Sequence, residues 1–343
     1  MKRRPLLLAV ALAAVLGAAL PWTRAALAER DTPRFRVPAG WPAPRYDFAA
    51  NPVTPAGFAL GRRLFYDPIL SRDGSIACAS CHQQFAAFAH LDHRVSHGIG
   101  GVNGRRNAPG LFNLAWQPEL MWDGAAHQLE TQPVAPISNP LEMGGSLALA
   151  VDRLRREPRY PALFERAFGS PGIDSQRLLR ALAQFTGSLV SAGSRYDRAQ
   201  RGELAFTAQE QAGLELFRQR CAGCHREPLF SDFSYRNNGL DAAPRDAGRA
   251  GVSGRAEDRG RFRVPALRNV ALTAPYMHDG RYGSLQQVLD HYGGGIQRSP
   301  TLDPLLADAA PFSPEQRAAL LAFLDTLTDE DFVHDPRFAP ARD

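Results

Sequence analysis

The chain has 343 residues, 44% of them hydrophobic, with 40 Lys and Arg against 35 Asp and Glu for a formal net charge of +5. That length and apolar content suffice for buried cores in two domains of ordinary size. The basic excess sits largely at the start, where Lys2, Arg3, Arg4 and Arg24 precede any acid, so the rest of the chain is close to neutral and gives no reason to expect a nucleic acid partner.

The first element is a leader. Lys2 to Arg4 make a basic start, Leu6 to Leu20 an apolar run, and Ala26-Leu27-Ala28 a small-x-small site. Together they predict a secretory signal peptide over residues 1–28, and hence a periplasmic protein with no membrane attachment after cleavage. The run is short for a stable membrane anchor.

Beyond the leader the predicted elements are helices joined by long polar loops. "GRRLFYD" reads as a helix carrying a Leu-Phe pair, and it leads to "CASCHQQF" at Cys78. A histidine-rich loop, "AHLDHRVSHGIGG", follows, and "SQRLLRALAQFTGSLV" is an amphipathic helix. A linker is expected near Arg195 to Phe206. Thr207 and Glu210 form a capping box that opens a helix through "GLELFRQR", and this second Leu-Phe helix leads to "CAGCHREP" at Cys221. Ser284 with Gln287, and Ser313 with Gln316, cap two further helices, the last with Pro314 at its first position. Loops as long as "SHGIGGVNGRRNAPG" and "NNGLDAAPRDAGRAGVSGRAEDRG" are normally functional or disordered; wrapping a cofactor would order them. Because each Leu-Phe helix leads to a Cys-x-x-Cys-His pentapeptide, the attachment signature of c-type haem, the expectation is a mainly α chain built from two cytochrome c-like haem domains with long ordered loops. The first domain would span residues 29–200, the second 201–328, with a tail from 329 to 343.

All four cysteines lie in the two Cys-x-x-Cys-His pentapeptides. This is the attachment signature of c-type haem. The two sulfurs bond the vinyl groups of the porphyrin, and the histidine after them lies under the iron as proximal ligand. Zinc held by four cysteines is the main rival, but it does not call for a histidine directly after each pair. The assignment is Cys78, Cys81 and His82 for one haem, and Cys221, Cys224 and His225 for the other.

Five stretches carry a wider likeness: "LGRRLFYDPILSRDGSIACASCH", "RRNAPGLFN", "MWDGAAHQLETQPVAPISNPLEM", "LFRQRCAGCH" and "RFRVPALRNVALTAPYMHDGRYGSLQQVLDHY". From about Gly57 to Leu327 the chain resembles the bacterial di-haem cytochrome c peroxidases and their MauG-type relatives. The resemblance implies reduction of hydrogen peroxide at the N-terminal haem with electrons arriving through the C-terminal one. It places Trp122 between the haems as a redox relay. Gln132, Pro136 and Glu142 fall in the distal pocket of the first haem, with Glu142 moving the proton. It offers His97 as a resting-state ligand of the first iron. Asn107, Thr273 and Pro275 match a calcium position, where oxygen donors suit a hard cation. It allows a homodimer.

The sixth ligand of the second haem separates the branches of the family. Peroxidases carry Met fourteen residues beyond the "HDG" histidine, and MauG-type enzymes carry Tyr; counting from His278 lands on Tyr292. Met277 is the alternative ligand. The leading expectation is a periplasmic di-haem cytochrome c peroxidase supplied with electrons by a small cytochrome c or a copper protein. A MauG-like oxidation of Tyr or Trp side chains on a partner protein is the second, motivated by Tyr292. A non-catalytic di-haem electron carrier is the third.

Overall fold

The computed structural model describes residues 35–341, so the expected signal peptide lies outside the described residues. The chain is helical with little strand. Its first half contains α1 (Pro55–Tyr66), α2 (Cys78–Cys81), α3 (Val134–Ser138), α4 (Leu147–Arg156), α5 (Tyr160–Phe168) and α6 (Ser175–Gly187). Its second half contains α7 (Arg195–Gln200), α8 (Ala208–Arg220), α9 (Ala250–Ser253), α10 (Leu285–Asp290), α11 (Pro314–Asp325) and α12 (Glu330–Val333). Strands β1 (Tyr235–Arg236) and β2 (Phe262–Arg263) form one short antiparallel pair, with Tyr235 opposite Arg263 and Arg236 opposite Phe262. No helix among the described residues is long and apolar enough to cross a membrane.

Each half is organised around one close helix pair. The Thr54 side chain caps α1 by accepting from Gly57 N, with Pro55 at the first turn. The predicted boxes Thr207–Glu210 and Ser313–Gln316 cap α8 and α11. α1 lies on α6 and α8 on α11, and a glycine sits at each crossing. A Cβ at Gly61 would fall 1.9 Å from Ala181 O, and one at Gly213 2.0 Å from Ala319 O. Only glycine permits that approach of backbone to backbone. Phe65 and Phe185 fill the first crossing, Phe217 and Phe323 the second, and all four are essentially fully buried. The Leu-Phe pairs read in the sequence are therefore the core faces of equivalent helices.

The likeness continues into the loops. Asn113 and Asn269 both adopt left-handed backbone, φ 55° and 57°. Asn113 N donates to Leu189 O at 2.8 Å, and Asn269 N donates to Leu327 O at 2.9 Å. Their side-chain oxygens accept from Ser191 N and Asp329 N respectively. Each loop then enters a Met-x-Asp-Gly turn, with Met121 and Met277 at φ 70° and 74°. Asn tolerates this region readily; a methionine there is held by its surroundings.

Two stretches near the expected boundaries are well packed. The expected linker begins with a helix, α7, whose Tyr196 and Asp197 are buried. Asp197 accepts from both terminal nitrogens of Arg268 at 2.7 and 2.8 Å, and Arg268 is only 1% exposed. The segment after residue 328 folds back onto the first half. Phe332 and Phe338 pack in its core with Phe88 and Phe58, and Tyr66 Oη donates to Phe338 O at 2.9 Å. Polar side chains help tie the long loops, which also bury Ile99 and Leu240. Arg106 pairs with Asp123 and Asp246, and Asn237 Nδ2 donates to Ser299 and Thr301.

Candidate functional site

The two attachment motifs have the same local form. α2 presents Cys78 and Cys81, and His82 N donates to Cys78 O at 3.0 Å. In the second motif His225 N donates to Cys221 O at 2.9 Å. His82 Nδ1 is 2.8 Å from Phe88 O, and His225 Nδ1 is 3.2 Å from both Phe230 O and Pro265 O. A carbonyl can only accept, so Nδ1 carries the proton and Nε2 keeps its lone pair for a metal. Burial pushes the His82 pKa down to about 4 and lowers that of His225, so both rings are neutral at physiological pH and could serve as metal ligands.

All four cysteines are free thiols. Burial raises the pKa of each, to about 12 for Cys78 and Cys221. Cys78 packs against the first core and Cys221 against the second. The thiols therefore do not converge on one tetrahedral zinc. No cluster of three or more His, Cys, Asp and Glu side chains among the described residues could hold a metal ion. Uncharged thioethers suit such dry positions better than thiolates.

Gln132, Pro136 and Glu142 lie on one continuous segment through α3. Met143 N donates to Pro136 O at 3.1 Å, and Ala135 N donates to Gln132 O at 3.4 Å. This segment packs on the loop that follows the first motif, where Ile99 N donates to Glu142 O at 2.8 Å. Gly98 is required there, because a Cβ would lie 2.1 Å from Leu141 O. Burial raises the Glu142 pKa, opposed by a hydrogen bond from Asn139 Nδ2 at 2.8 Å. The Cys81 thiol is raised mainly by burial, and the nearby Glu142 carboxylate adds to it. Glu142 thus stands beside the first attachment site. His97 is exposed on this loop, its ring 4.7 Å from that of His93 and perpendicular to it. His90 is instead buried and bonded to Ser96 Oγ at 2.9 Å, a structural role that its polar setting in the sequence conceals.

A cavity of about 420 Å³ opens between the halves, within the range of cofactor pockets. Cys221, Cys224, His225, Tyr292 and Met277 line it, together with Trp122 and the calcium candidates Asn107, Thr273 and Pro275. Asn238 Nδ2 reaches both candidate sixth ligands, 3.4 Å from Tyr292 Oη and 3.3 Å from Met277 Sδ. Burial raises the Tyr292 pKa to about 12, so the phenol is neutral without a neighbouring cation.

The two Met-x-Asp-Gly turns are exchanged across the joint. Trp122 O accepts from Arg263 N at 2.8 Å, and the Trp122 indole Nε1 donates to Asn107 O at 2.8 Å. Asn107 N in turn donates to His278 O at 2.8 Å. A Cβ at Gly280 would strike Arg94 O at 2.0 Å, so the second turn is pressed on the first half's loop. His278 stacks on Phe262 at 3.7 Å. Trp122, Asn107 and His278 thus form one connected bridge between the motifs. Neither Asn238 nor Arg263 stands out in the sequence; the repeat leads to Asn238, which faces Tyr292, while Arg263 is evident only from the fold.

The donor set fits two c-type haems: paired free thiols, neutral imidazoles with free Nε2, and a cavity holding the buried guanidinium of Arg263 without an acid. The comparisons with known proteins agree. Residues 55–205 match the family model described as di-haem cytochrome c peroxidase. The chain is 41% identical over 305 residues to the methylamine utilization protein MauG of Methylorubrum extorquens, covering 87% of this chain and 84% of that protein. It is 34% identical to the cytochrome c551 peroxidase of Nitrosomonas europaea, covering 79% of each. Among solved structures, a MauG-like protein associated with microbial copper homeostasis superposes with a TM-score of 0.82 at 34% identity, covering 89% of this chain and 98% of that one. The chain belongs to the di-haem cytochrome c peroxidase family.

Proposed function

We propose that the chain is a periplasmic hydrogen peroxide-dependent oxidoreductase whose first site takes the peroxide and whose second site exchanges electrons with another molecule. The first haem would be held by Cys78, Cys81 and His82, and the second by Cys221, Cys224 and His225. When bound, they supply the one-electron iron chemistry that no side chain can. Glu142 accepts the proton of incoming peroxide at its carboxylate and returns it to the leaving oxygen. Gln132, whose Nε2 lies 3.5 Å from Met121 Sδ, orients the oxidant from the same segment. The Pro136 side chain offers no donor atom to a metal and so would leave room for the oxidant. Trp122 carries single electrons across the joint through its indole. Asn107, Thr273 and Pro275 supply oxygen donors beside Trp122 for a calcium ion that would stiffen this bridge.

The observation that carries the proposal is the bridge Trp122–Asn107–His278 between the two Met-x-Asp-Gly turns, together with the contrast in carboxylates: Glu142 beside Cys81 has no basic partner, whereas Asp232 and Asp303 beside Cys224 are both neutralised by Arg236. The reductant follows from the second site. Tyr292 is a hard oxygen ligand that stabilises ferric iron and disfavours a high-potential electron acceptor. With the higher identity to MauG, this favours Tyr or Trp side chains of a partner protein as the electron source. A small cytochrome c or copper protein as donor is the second reading, supported by the likeness to the cytochrome c551 peroxidase. Holoprotein given hydrogen peroxide and a reduced small cytochrome should then turn over slowly, while Tyr292→Met should speed that donor reaction. Fast wild-type turnover, unchanged in Tyr292→Met, would return the chain to the peroxidase reading. A pure electron carrier predicts that neither peroxide nor cyanide perturbs the first site in any redox state.

A further inference from the structure

Arg263 is the buried charged residue of the cavity wall that has no counter-charge among the described residues. It is 6% exposed and lines the cavity beside Val264 and Pro265, two residues before the carbonyl that holds His225. Its Nε donates to Met121 O at 3.2 Å. Among the described residues its two terminal nitrogens have no hydrogen-bond acceptor and no carboxylate within ion-pair distance. The other arginines of the cavity wall are answered. Arg236 pairs with Asp232 and Asp303, and Arg220 donates to Ala310 O while lying over the Phe312 ring. The buried Arg268 has its own acid, Asp197. Burial without a counter-charge lowers the Arg263 pKa to about 10. A guanidinium kept dry and unpaired is unfavourable unless something else supplies the anion.

We propose that Arg263 anchors a propionate of the haem held by Cys221, Cys224 and His225, and so ties the Met121-Trp122 turn to that cofactor. The planar fork of arginine matches a carboxylate with two parallel hydrogen bonds. The rest of the residue already grips the other half, through Nε to Met121 O and the backbone N–H to Trp122 O. Arg263 is therefore a positioning residue. Its charge sets the electrostatics of the second site, and its backbone sets where Trp122 stands. The proposal rests on the second attachment site holding haem, and it is indifferent to whether the electrons come from a donor protein or from side chains of a partner.

The test uses the holoprotein, with haem number counted by intact mass. Arg263→Gln and Arg263→Lys are compared with wild type by spectroelectrochemical titration of each haem between pH 5 and 8, and by the propionate bending bands in resonance Raman spectra. With Gln, a lost positive charge favours the ferric state. The oxidised-to-reduced ratio of the second haem at fixed poise should rise at least tenfold, a fall of about 59 mV for one electron. Its potential should also gain pH dependence as the freed propionate titrates, and its bending band should shift. Lys should keep the potential within about twofold of wild type in the same ratio. An Arg263→Gln protein with two haems and unchanged potential and Raman bands would overturn the proposal, as would a shift confined to the first haem. If Gln prevents loading of the second haem, Lys decides. Loading with a wild-type potential supports the anchor, and failure of Lys to load overturns it. A wild-type protein lacking the second haem by mass would instead undo the cofactor assignment itself.

Discussion

The two halves share one frame and differ at the position that decides chemistry. Each has a glycine-pinched helix pair, a left-handed asparagine and a Met-x-Asp-Gly turn. Fourteen residues beyond Trp122 stands Pro136, and fourteen beyond His278 stands Tyr292. At equivalent points one half presents a residue without a metal donor and the other a phenol. The first half adds Glu142, and the second adds Asn238 between Tyr292 and Met277. On the proposed function, change at a few positions of a repeated scaffold makes one site reactive and the other a conduit. Fold alone does not assign those roles; the side chains at the changed positions do.

The comparison is sharpened most by Glu142→Gln. It should lower peroxide turnover by about 10²–10⁴-fold with both haems retained, measured by stopped-flow peroxide consumption. The raised pKa of Glu142 fixes the sign of the pH effect. The carboxylate is needed to accept the peroxide proton, so the rate should fall as pH drops, beginning above the ordinary glutamate range near about 4.3. That limb should vanish in the Gln variant. A limb at the ordinary value, or one that survives the substitution, breaks the contrast drawn between the halves.

Stability offers a test of the two cores. Asp197→Ala leaves the Arg268 guanidinium, whose side chain is fully buried, without its counter-charge. It should cost about 3–5 kcal/mol by urea denaturation of the holoprotein, and the second half should unfold first. Gly61→Ala and Gly213→Ala should each cost about 1–3 kcal/mol by overpacking. Because the two crossings lie in separate cores, the double variant should add to within about 0.5 kcal/mol. Strong non-additivity would mean that the halves do not behave as two cores.

The smallest expected effect on folding, and the most specific spectroscopically, is Tyr292→Phe. It removes one hydroxyl and should change the ferric spectrum of the second haem while leaving cyanide binding at the first intact. An unaltered second-haem spectrum would shift the ligand assignment to Met277.

Much of this was legible in the sequence because its signals are local. Thr207–Glu210, Ser284–Gln287 and Ser313–Gln316 each form the capping box that their spacing implies. The Leu-Phe pairs mark the buried helix faces, and the pentapeptides carry the haem attachment signature. What stayed hidden depends on contacts between distant residues. Arg263 reads as one more arginine in an arginine-rich chain until its empty cavity-facing fork is seen. The tail after 328 has too few apolar residues to show a period, yet Phe332 and Phe338 complete the first core. Asn107 joins Trp122 to His278 through its backbone, which no residue type advertises. Gly98 and Gly280 carry close approaches that a sequence shows only as flexible loop.

The most direct test of the central claim, two covalent haems of which only the first has an open face, is electron paramagnetic resonance of the mature ferric holoprotein with and without cyanide. The account predicts one high-spin and one low-spin ferric signal, with cyanide converting only the high-spin one. Two low-spin signals, both indifferent to cyanide in every redox state, would contradict it.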